Sequence, residues 1–121
     1  MRIGKPLSFL VLGVVLSGPA LAEAPKTQNG HFIDANGAAL YTFDKDMGGK
    51  SACTDTCAKN WPAALAGQED VASGDWTFAQ SHDGKRQWAY KGKPLYRFAK
   101  DAKPGDTLGD GVGGVWHLAK P

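Results

Sequence analysis

The chain has few of the residues and motifs that mark common chemical activities. It has two cysteines in 121 residues, Cys53 and Cys57, and their Cys-x3-Cys spacing is neither the Cys-x-x-Cys of thiol redox proteins nor the Cys-x-x-Cys-His of covalent haem attachment. It has no Gly-x-Ser-x-Gly nucleophile motif, and the glycine-rich run at residues 105–114 lacks the Gly-Lys-Ser/Thr of a phosphate-binding loop. No reaction can therefore be assigned from a motif.

The sequence also has no apolar run long enough to span a membrane. The run at residues 7–16 has about ten residues, whereas a membrane-spanning helix needs about 20. It follows Arg2 and Lys5 and is followed by a Gly-Pro pair and by Ala-Leu-Ala. This order is typical of a secretory signal peptide, so we predict a signal peptide at residues 1–22, cleavage before Glu23, and a periplasmic or secreted protein.

Beyond the signal, the chain has no excess of charge of either sign. Removal of Arg2 and Lys5 leaves twelve basic residues, which match the 12 acidic residues of the whole chain. Lysines and aspartates are interleaved, so there is no electrostatic reason to expect nucleic acid or an anionic membrane as a partner. Since no cysteine follows the cleavage site, we expect neither lipid attachment nor a stable membrane anchor. The expected partner is an envelope protein or a small ligand.

The sequence does contain an internal duplication. "LYTFDKD" at residues 40–46 recurs as "LYRFAKD" at residues 95–101. The same offset of 55 residues also superposes Trp61 on Trp116, and the alignment needs no gap. Several aromatic residues that keep one offset over this distance indicate two tandem pseudo-repeats.

Both copies have the pattern of β structure. Turn signals separate short apolar runs at residues 35–37 (Ala-Asn-Gly), 82–84 (His-Asp-Gly) and 91–94 (Lys-Gly-Lys-Pro). Residues 114–120 are expected to form a last strand, and only residues 54–66 look helical, with Pro62 stopping or restarting the helix. We predict an all-β fold of about six short strands, mainly antiparallel and in hairpins, with one short helix.

The length after cleavage is that of one small domain. We predict a single β-rich domain at residues 23–121, with repeats at about 30–66 and 85–121 that are linked by a strand and turn at 75–84. A domain of this size buries only about 65% of its unfolded surface, so a covalent link would help to stabilise it.

The two cysteines are predicted to form a disulfide, because an exported chain meets oxidising surroundings. Closing so small a ring is worth roughly 2 kcal/mol in the loop-entropy model. Under the 55-residue offset, Cys53 and Cys57 correspond to Leu108 and Val112. Both positions are then apolar in the second copy, so we expect them to face inward in both copies.

The duplicated motif is predicted to have a structural role. Strand alternation places Tyr41 and Phe43 on one face, and Leu40 and Thr42 on the other. The second copy keeps the aromatic face, so we expect that face to be buried and the other to be partly exposed. The motif residues taken as structural, together with the two tryptophans, are Tyr41, Phe43, Asp46, Trp61, Tyr96, Phe98, Asp101 and Trp116. An exposed aromatic platform for a sugar or a base is the alternative.

The two motif aspartates follow their strands and precede glycine-containing segments. Asp46 and Asp101 are expected to close turns by accepting hydrogen bonds from backbone N–H groups two residues further on. The alternative is a calcium-type loop, because Asp44, Asp46, Gly49 and Asp55 have the spacing of some EF-hand ligands. That loop lacks the usual glutamate at its last position, so we predict no metal site and no cofactor.

With its signal sequence, its Cys53 to Cys57 segment and its two motif copies, the chain resembles a bacterial secreted-repeat family of predicted lipoproteins with the Yx(FWY)xxD motif. Tyr41, Phe43 and Asp46 match this motif in the first copy, and Tyr96, Phe98 and Asp101 match it in the second. The chain departs from many such proteins because it has no lipid-attachment cysteine. The resemblance implies export and a repeated fold, and it implies no reaction.

These observations favour an exported, non-enzymatic binding or interaction module. The alternative is a periplasmic metal- or redox-linked protein that uses its histidines, Met47 or the cysteine pair. The three histidines, His31, His82 and His117, are scattered along the chain. A hydrolase would require a fold that brings a serine within reach of a histidine and a carboxylate.

Overall fold

Seven short strands and one short helix form within residues 24–121, the residues that this computed structural model describes. The predicted signal peptide at residues 1–22 lies outside them. No helix in the described part of the chain is long and apolar enough to cross a membrane. The elements are β1 (Lys26–Gln28), β2 (His31–Ile33), β3 (Tyr41–Phe43), α1 (Thr56–Asn60), β4 (Trp76–Gln80), β5 (Arg86–Tyr90), β6 (Lys93–Pro94), a 3-10 turn (Val112–Gly114) and β7 (Trp116–Leu118).

The strands pair in three small sheets, and every strand pair is antiparallel. β1 pairs with β2, β3 pairs with β7, and β4, β5 and β6 form a three-stranded sheet in that order. The helix occupies five residues of the segment predicted to be helical and ends before Pro62, which cannot donate a helical hydrogen bond. The predicted all-β fold with one short helix is confirmed.

Two of the hairpins turn on a pair of residues with positive φ. Lys91 and Gly92 join β5 to β6 with φ of 50° and 82°, and Asn29 and Gly30 join β1 to β2 with φ of 53° and 85°. Positive φ at both central residues suits the right-handed twist of paired strands. The turn after Tyr90 agrees with the sequence-based prediction. The β1–β2 hairpin is missing from that prediction, although its Asn-Gly pair is a strong turn signal.

The two repeats meet at the tyrosines of the duplicated motif. The backbone N–H of Tyr41 donates to the carbonyl of Tyr96 at 2.8 Å, and the N–H of Tyr96 donates to the carbonyl of Tyr41 at 2.9 Å. On its other side, Tyr41 pairs with Leu118, while Tyr96 forms an equivalent bridge with Ala63. Each tyrosine therefore lies between two partners in the same way, and the repeats are related by a pseudo-two-fold axis that passes between the tyrosines.

The loop after each motif shows that the gapless alignment is wrong in detail. The Asp46 carboxylate accepts the N–H of Ala52, six residues on, whereas the Asp101 carboxylate accepts the N–H of Leu108, seven residues on. The second loop thus has one extra residue at this point. By this alignment Gly109, and not Leu108, takes the place of Cys53.

The prediction that both apolar positions of this loop face inward is also wrong. The side chain of Leu108 is 63% exposed and that of Val112 is 39% exposed, whereas Cys53 is buried. The N–H of Leu108 donates to Asp101 and the N–H of Gly109 donates to the Tyr41 hydroxyl, so Gly109 faces the core and the side chain of Leu108 points outward.

Leu40 and Tyr41 point into two different hydrophobic cores. Tyr41 packs with Tyr96, Trp61 and Trp116 in one cluster, as expected for the aromatic face. Leu40 and Leu95, predicted to lie on a partly exposed face, are instead fully buried in a second cluster. Only further along this face do the side chains reach solvent, since Thr42 is half-buried and Arg97 is exposed.

The second cluster is built around rings from the three-stranded sheet. Phe32 contacts Trp76 and Tyr90 with centroid separations of 4.8 and 4.6 Å, and Trp88 packs with Leu40 and Leu95. Full burial of one such side chain is worth about 1.5 to 3 kcal/mol. The two cores lie on either side of the paired motif segments, so the pairing of Tyr41 with Tyr96 holds both of them together.

Gly109 allows the loop of the second copy to approach the first core closely. A Cβ atom at this position would lie 2.7 Å from Cη2 of Trp61 and 3.0 Å from Cε2 of Tyr41. Both rings are held by other rings, so neither can move away easily. The position requires glycine because of this close approach.

We therefore predict that Gly109→Ala lowers the free energy of unfolding by about 1 to 3 kcal/mol, the usual cost of overpacking a core. Urea denaturation followed by tryptophan fluorescence measures the change. Leu108→Ala is the matched control, because this neighbouring side chain is exposed and its backbone N–H is retained. Equal stability of Gly109→Ala and the wild type would contradict the packing described here.

Candidate functional site

Four aromatic rings form one continuous stack across the pseudo-two-fold axis. Trp61 and Trp116 lie at its centre with ring centroids 3.8 Å apart and planes 2° apart. Phe98 stacks on the outer face of Trp61 at 4.1 Å, and Phe43 stacks on the outer face of Trp116 at the same distance. Each repeat contributes one phenylalanine and one tryptophan, and each phenylalanine packs on the tryptophan of the other repeat.

The two motif tyrosines contact the sides of this stack. Tyr41 meets Trp61 edge-on with centroids 5.4 Å apart, and Tyr96 meets Trp116 in the same way at 5.1 Å. Both tyrosine rings and both tryptophan rings are buried. An exposed aromatic platform would need open ring faces, and the faces of the central rings are covered by other rings.

The motif tyrosines and aspartates are cross-linked between the repeats. The Tyr41 hydroxyl donates to Oδ2 of Asp101, and the Tyr96 hydroxyl donates to Oδ2 of Asp46, each at 2.6 Å. Hydrogen bonds to an ionised acceptor are stronger than those between neutral groups. The tyrosine of each motif therefore requires the aspartate of the other motif.

The second oxygen of each aspartate accepts a backbone N–H from its own loop. These are the bonds from Ala52 to Asp46 at 2.7 Å and from Leu108 to Asp101 at 2.8 Å. The expectation that the aspartates bond to the N–H two residues on is thus wrong. The carboxylates accept bonds six and seven residues on, because they bridge a loop to the opposite tyrosine.

Burial and the neighbouring carboxylates keep both hydroxyls protonated above the pH at which a free tyrosine ionises. Burial raises the pKa of Tyr41 and of Tyr96 well above the ordinary value, and the hydrogen bond to a carboxylate raises each pKa further. Burial also raises the pKa of Asp46, while the hydrogen bonds from Tyr96 and Ala52 act in the opposite direction. The tyrosines remain neutral donors at physiological pH, which makes them unsuited to act as bases or nucleophiles.

Cys53 and Cys57 form a disulfide with a Cα separation of 5.2 Å. Next to it, the Ser51 hydroxyl lies 2.7 Å from the Tyr96 hydroxyl, and the N–H of Cys53 donates to Oγ of Ser51. The disulfide therefore braces the loop that contacts Tyr96. In the second copy, the N–H of Gly109 donates directly to the Tyr41 hydroxyl at 3.2 Å, without serine or disulfide.

The residues considered for metal binding do not come together. His117 Nε2 lies 2.8 Å from Oδ2 of Asp44, while His31 is buried in β2 and His82 is exposed in the turn after β4. Met47 is 79% exposed. In residues 24–121 no group of three or more histidine, cysteine or acidic side chains is placed to hold a metal ion. Asp44 and Asp46, the leading residues of the calcium-type loop, bond to different partners.

The serines likewise form no nucleophile site within the described residues. Ser51 bonds to Tyr96, and Ser81 donates to Asp83 in the β4–β5 turn, but neither hydroxyl bonds to a histidine.

An open cleft of about 340 Å³ lies where β7 and the β5–β6 turn meet β3. Leu118 contributes apolar surface to it, and the fully buried Leu95 lies beneath its floor. The charged and polar residues that line it are Thr42, Tyr90, Lys91, Lys93, His117 and Lys120, and we refer to it as the lysine cleft.

The first repeat has an equivalent cleft of about 240 Å³, which we refer to as the sister cleft. The equivalence follows from the backbone: the N–H of Ala64 donates to the carbonyl of Leu95, and the N–H of Ala119 donates to the carbonyl of Leu40. Its lining includes Asp34, Asn36, Ala63, Leu65, Trp88 and Arg97.

The three lysines are the residues that motif searching does not reveal. Lys91 occupies the position of Asn36, Lys93 that of Ala38 and Lys120 that of Leu65. The available signal is the difference between the copies: three neutral positions of the first repeat are lysines in the second. This signal becomes visible only after the fold shows that the three positions share one cleft.

Comparison with known proteins agrees with the duplication. The model of a family described as a secreted repeat of unknown function matches residues 26–65 and residues 77–120. The chain thus carries two copies of the repeat, as the resemblance implied. No curated protein and no solved structure matches the chain.

We predict that the Tyr41 to Asp101 hydrogen bond stabilises the fold by about 1.5 to 3 kcal/mol, the range for bonds to charged groups. A double-mutant cycle of Tyr41→Phe and Asp101→Asn should show that the two losses are not additive, when both are measured by urea denaturation. The equivalent cycle of Tyr96→Phe and Asp46→Asn tests the second cross-link. Additive losses in both cycles would contradict the pairing.

The raised pKa values of Tyr41 and Tyr96 predict a loss of stability at alkaline pH. Above pH 10, the ordinary tyrosine pKa, the unfolded chain releases phenolic protons that the folded protein retains, so unfolding becomes more favourable as pH rises. Between pH 9 and 11 we expect a fall of about 1 kcal/mol per tyrosine. The measurement is urea denaturation at each pH.

In this experiment Tyr41→Phe and Tyr96→Phe should each flatten the pH dependence. Tyr90→Phe is the matched control, because among the described residues the Tyr90 hydroxyl donates to no carboxylate. If both variants keep the slope of the wild type, these hydroxyls do not carry the effect.

Proposed function

Because the chain belongs to this family of secreted repeats, we propose that it is an exported, non-enzymatic module that binds a small ligand in the lysine cleft. We further propose that export follows cleavage before Glu23 and delivers the protein to the periplasm or to the medium. We propose no lipid attachment at the new amino terminus, because the residue after the proposed cleavage site is not a cysteine.

The use of the motif residues inside the fold supports this proposal. The tyrosine, phenylalanine and aspartate of each motif copy take part in ring stacking and in hydrogen bonds between the repeats. Groups engaged in this way are not available to a substrate. A ligand site is thus better sought among residues that the copies do not share.

The single observation that carries the proposal is the difference between the two clefts. The backbone bonds that join the repeats are the same beside both clefts, whereas the turn at the edge of each cleft and the side chains that line it differ. In the lysine cleft, side chains that project from a turn, from β7 and from the segment after β7 surround an apolar surface. Ligand sites commonly combine a concave apolar surface with a few polar groups that fix orientation.

The cleft favours a small ligand over an envelope protein. A stable protein interface buries about 800 Å² on each partner, which is far more than one concave site of this size provides. The exposed apolar side chains Met47, Val71 and Leu108 lie outside the lysine cleft, so they do not enlarge it into an apolar docking surface.

A screen by two-dimensional NMR tests the proposal. The protein, labelled with ¹⁵N, is mixed with a library that contains neutral, cationic and anionic small molecules. We expect some compounds to shift the amide signals of Lys91, Lys93 and His117 at millimolar concentration or below. If no compound of any charge shifts signals in the lysine cleft, ligand binding there is refuted.

Export and cleavage are tested separately from binding. The protein is produced with its leader in a Gram-negative host, and the intact mass of the periplasmic form is determined. We expect a chain that begins at Glu23. A protein that stays in the cytoplasm, or one that retains residues 1–22, would contradict this part of the proposal.

A further inference from the structure

The lysine cleft concentrates positive charge in a chain whose charges otherwise balance. Lys91, Lys93 and Lys120 line it, and all three are exposed. No carboxylate of the described residues lies within ion-pair distance of these lysines, whereas Lys85 and Lys103 pair with Asp83 and Asp106. The cleft therefore presents three ammonium groups that are free to meet a ligand.

The fold does not require these charges. At the 55-residue offset the corresponding residues of the first repeat are Asn36, Ala38 and Leu65, and the backbone bonds beside Leu65 and Lys120 are the same in both repeats. The turn that carries Asn36 and Ala38 is one residue longer than the turn that carries Lys91 and Lys93, because the N–H of Leu40 donates to Phe32 whereas the N–H of Leu95 donates to Trp88. All three of these differences add a cation to the lysine cleft, and one difference has the opposite sign, because Arg97 of the sister cleft corresponds to Thr42. The lysine cleft thus has three lysines where the sister cleft has one arginine.

The nearest acidic side chains are already engaged. Asp44 accepts a hydrogen bond from His117, and both oxygens of Asp46 accept bonds, from Tyr96 and from Ala52. Both aspartates line an adjoining cleft together with Lys91 and Lys93, but neither carboxylate is within ion-pair distance of the three lysines. Lys91 also lies over the ring of Tyr90, with its ammonium 5.4 Å from the ring centroid, which helps to hold it at the edge of the cleft.

The rest of the cleft is suited to a carbon skeleton. Leu95 is fully buried beneath it, and Leu118 and Tyr90 are partly buried beside it. Apolar surface below and ammonium groups around the rim match a molecule with a compact carbon framework and charged substituents. An inorganic ion would contact only the ammonium groups at the rim and would leave the apolar surface without a partner.

We propose that the lysine cleft binds a small organic anion that carries at least two negatively charged groups, carboxylates or phosphates, on a compact carbon skeleton. This inference rests on the proposed function and narrows it to a class of ligand. The charged groups bind the three lysines, and the skeleton contacts Leu118 and Tyr90.

Titrations with citrate and with glucose 1,6-bisphosphate test this inference and distinguish carboxylate from phosphate. They are followed by NMR at about 20 mM salt, where the Debye length is roughly 20 Å. Glucose is the uncharged comparison. We expect at least one of the two anions to shift the lysine cleft signals, no binding of glucose, and weaker binding at about 300 mM salt.

The cleft variant replaces the lysines by the residues of the first repeat: Lys91→Asn, Lys93→Ala and Lys120→Leu. A second variant carries glutamine at the same three positions, in case the leucine affects solubility. The control replaces three exposed lysines that do not line the cleft, Lys50→Gln, Lys59→Gln and Lys100→Gln, so the change in net charge is the same.

We expect both cleft variants to weaken binding of the anion by at least about tenfold, since three ion pairs with the ligand are lost at once. The control should change it less than about threefold. The inference is overturned if neither anion binds below about 10 mM, or if cleft and control variants lose affinity equally. If instead the neutral compounds of the library shift the cleft signals, the proposed function stands and the anion inference fails.

Discussion

The fold depends on the reciprocal pairing of the two motif segments. Tyr41 and Tyr96 exchange backbone hydrogen bonds at the pseudo-two-fold axis, and each hydroxyl reaches the aspartate of the other repeat. Around the same axis, the four-ring stack alternates between the repeats. A hydrogen bond of this kind that loses one partner leaves a buried polar group unpaired, which costs about 1 to 3 kcal/mol. The motif is thus repeated because each copy completes the other.

Local features of this fold could be predicted from the sequence, and contacts between the repeats could not. Turn residues such as Gly92 and Pro62 act on their neighbours, so hairpins and helix ends follow from short stretches. The partner of Asp46 is Tyr96, 50 residues away, and no local pattern identifies it. Strand alternation placed Leu40 opposite Tyr41, but it could not reveal that a second core covers that face.

The candidate site was harder to predict for a related reason. In the sequence, Lys91, Lys93 and Lys120 look like ordinary surface residues. They indicate a candidate site only because the fold brings β7 and the β5–β6 hairpin together around one cleft. The duplicated fold supplies an internal comparison, since the sister cleft has the same backbone bonds between the repeats, a longer turn and different side chains. The features that looked most like a signature, the paired motifs, proved to hold the core together.

The pairing of β3 with β7 also bears on the order in which the chain can fold. Tyr41 needs Leu118 beside it, and Trp61 needs Trp116 against its face, so the first repeat cannot complete its core until the end of the described chain is present. Contacts between segments so far apart in sequence form late. A chain of a secreted family that threads through an export channel from its amino terminus stays without a finished core during passage, and folds when its last strand has arrived.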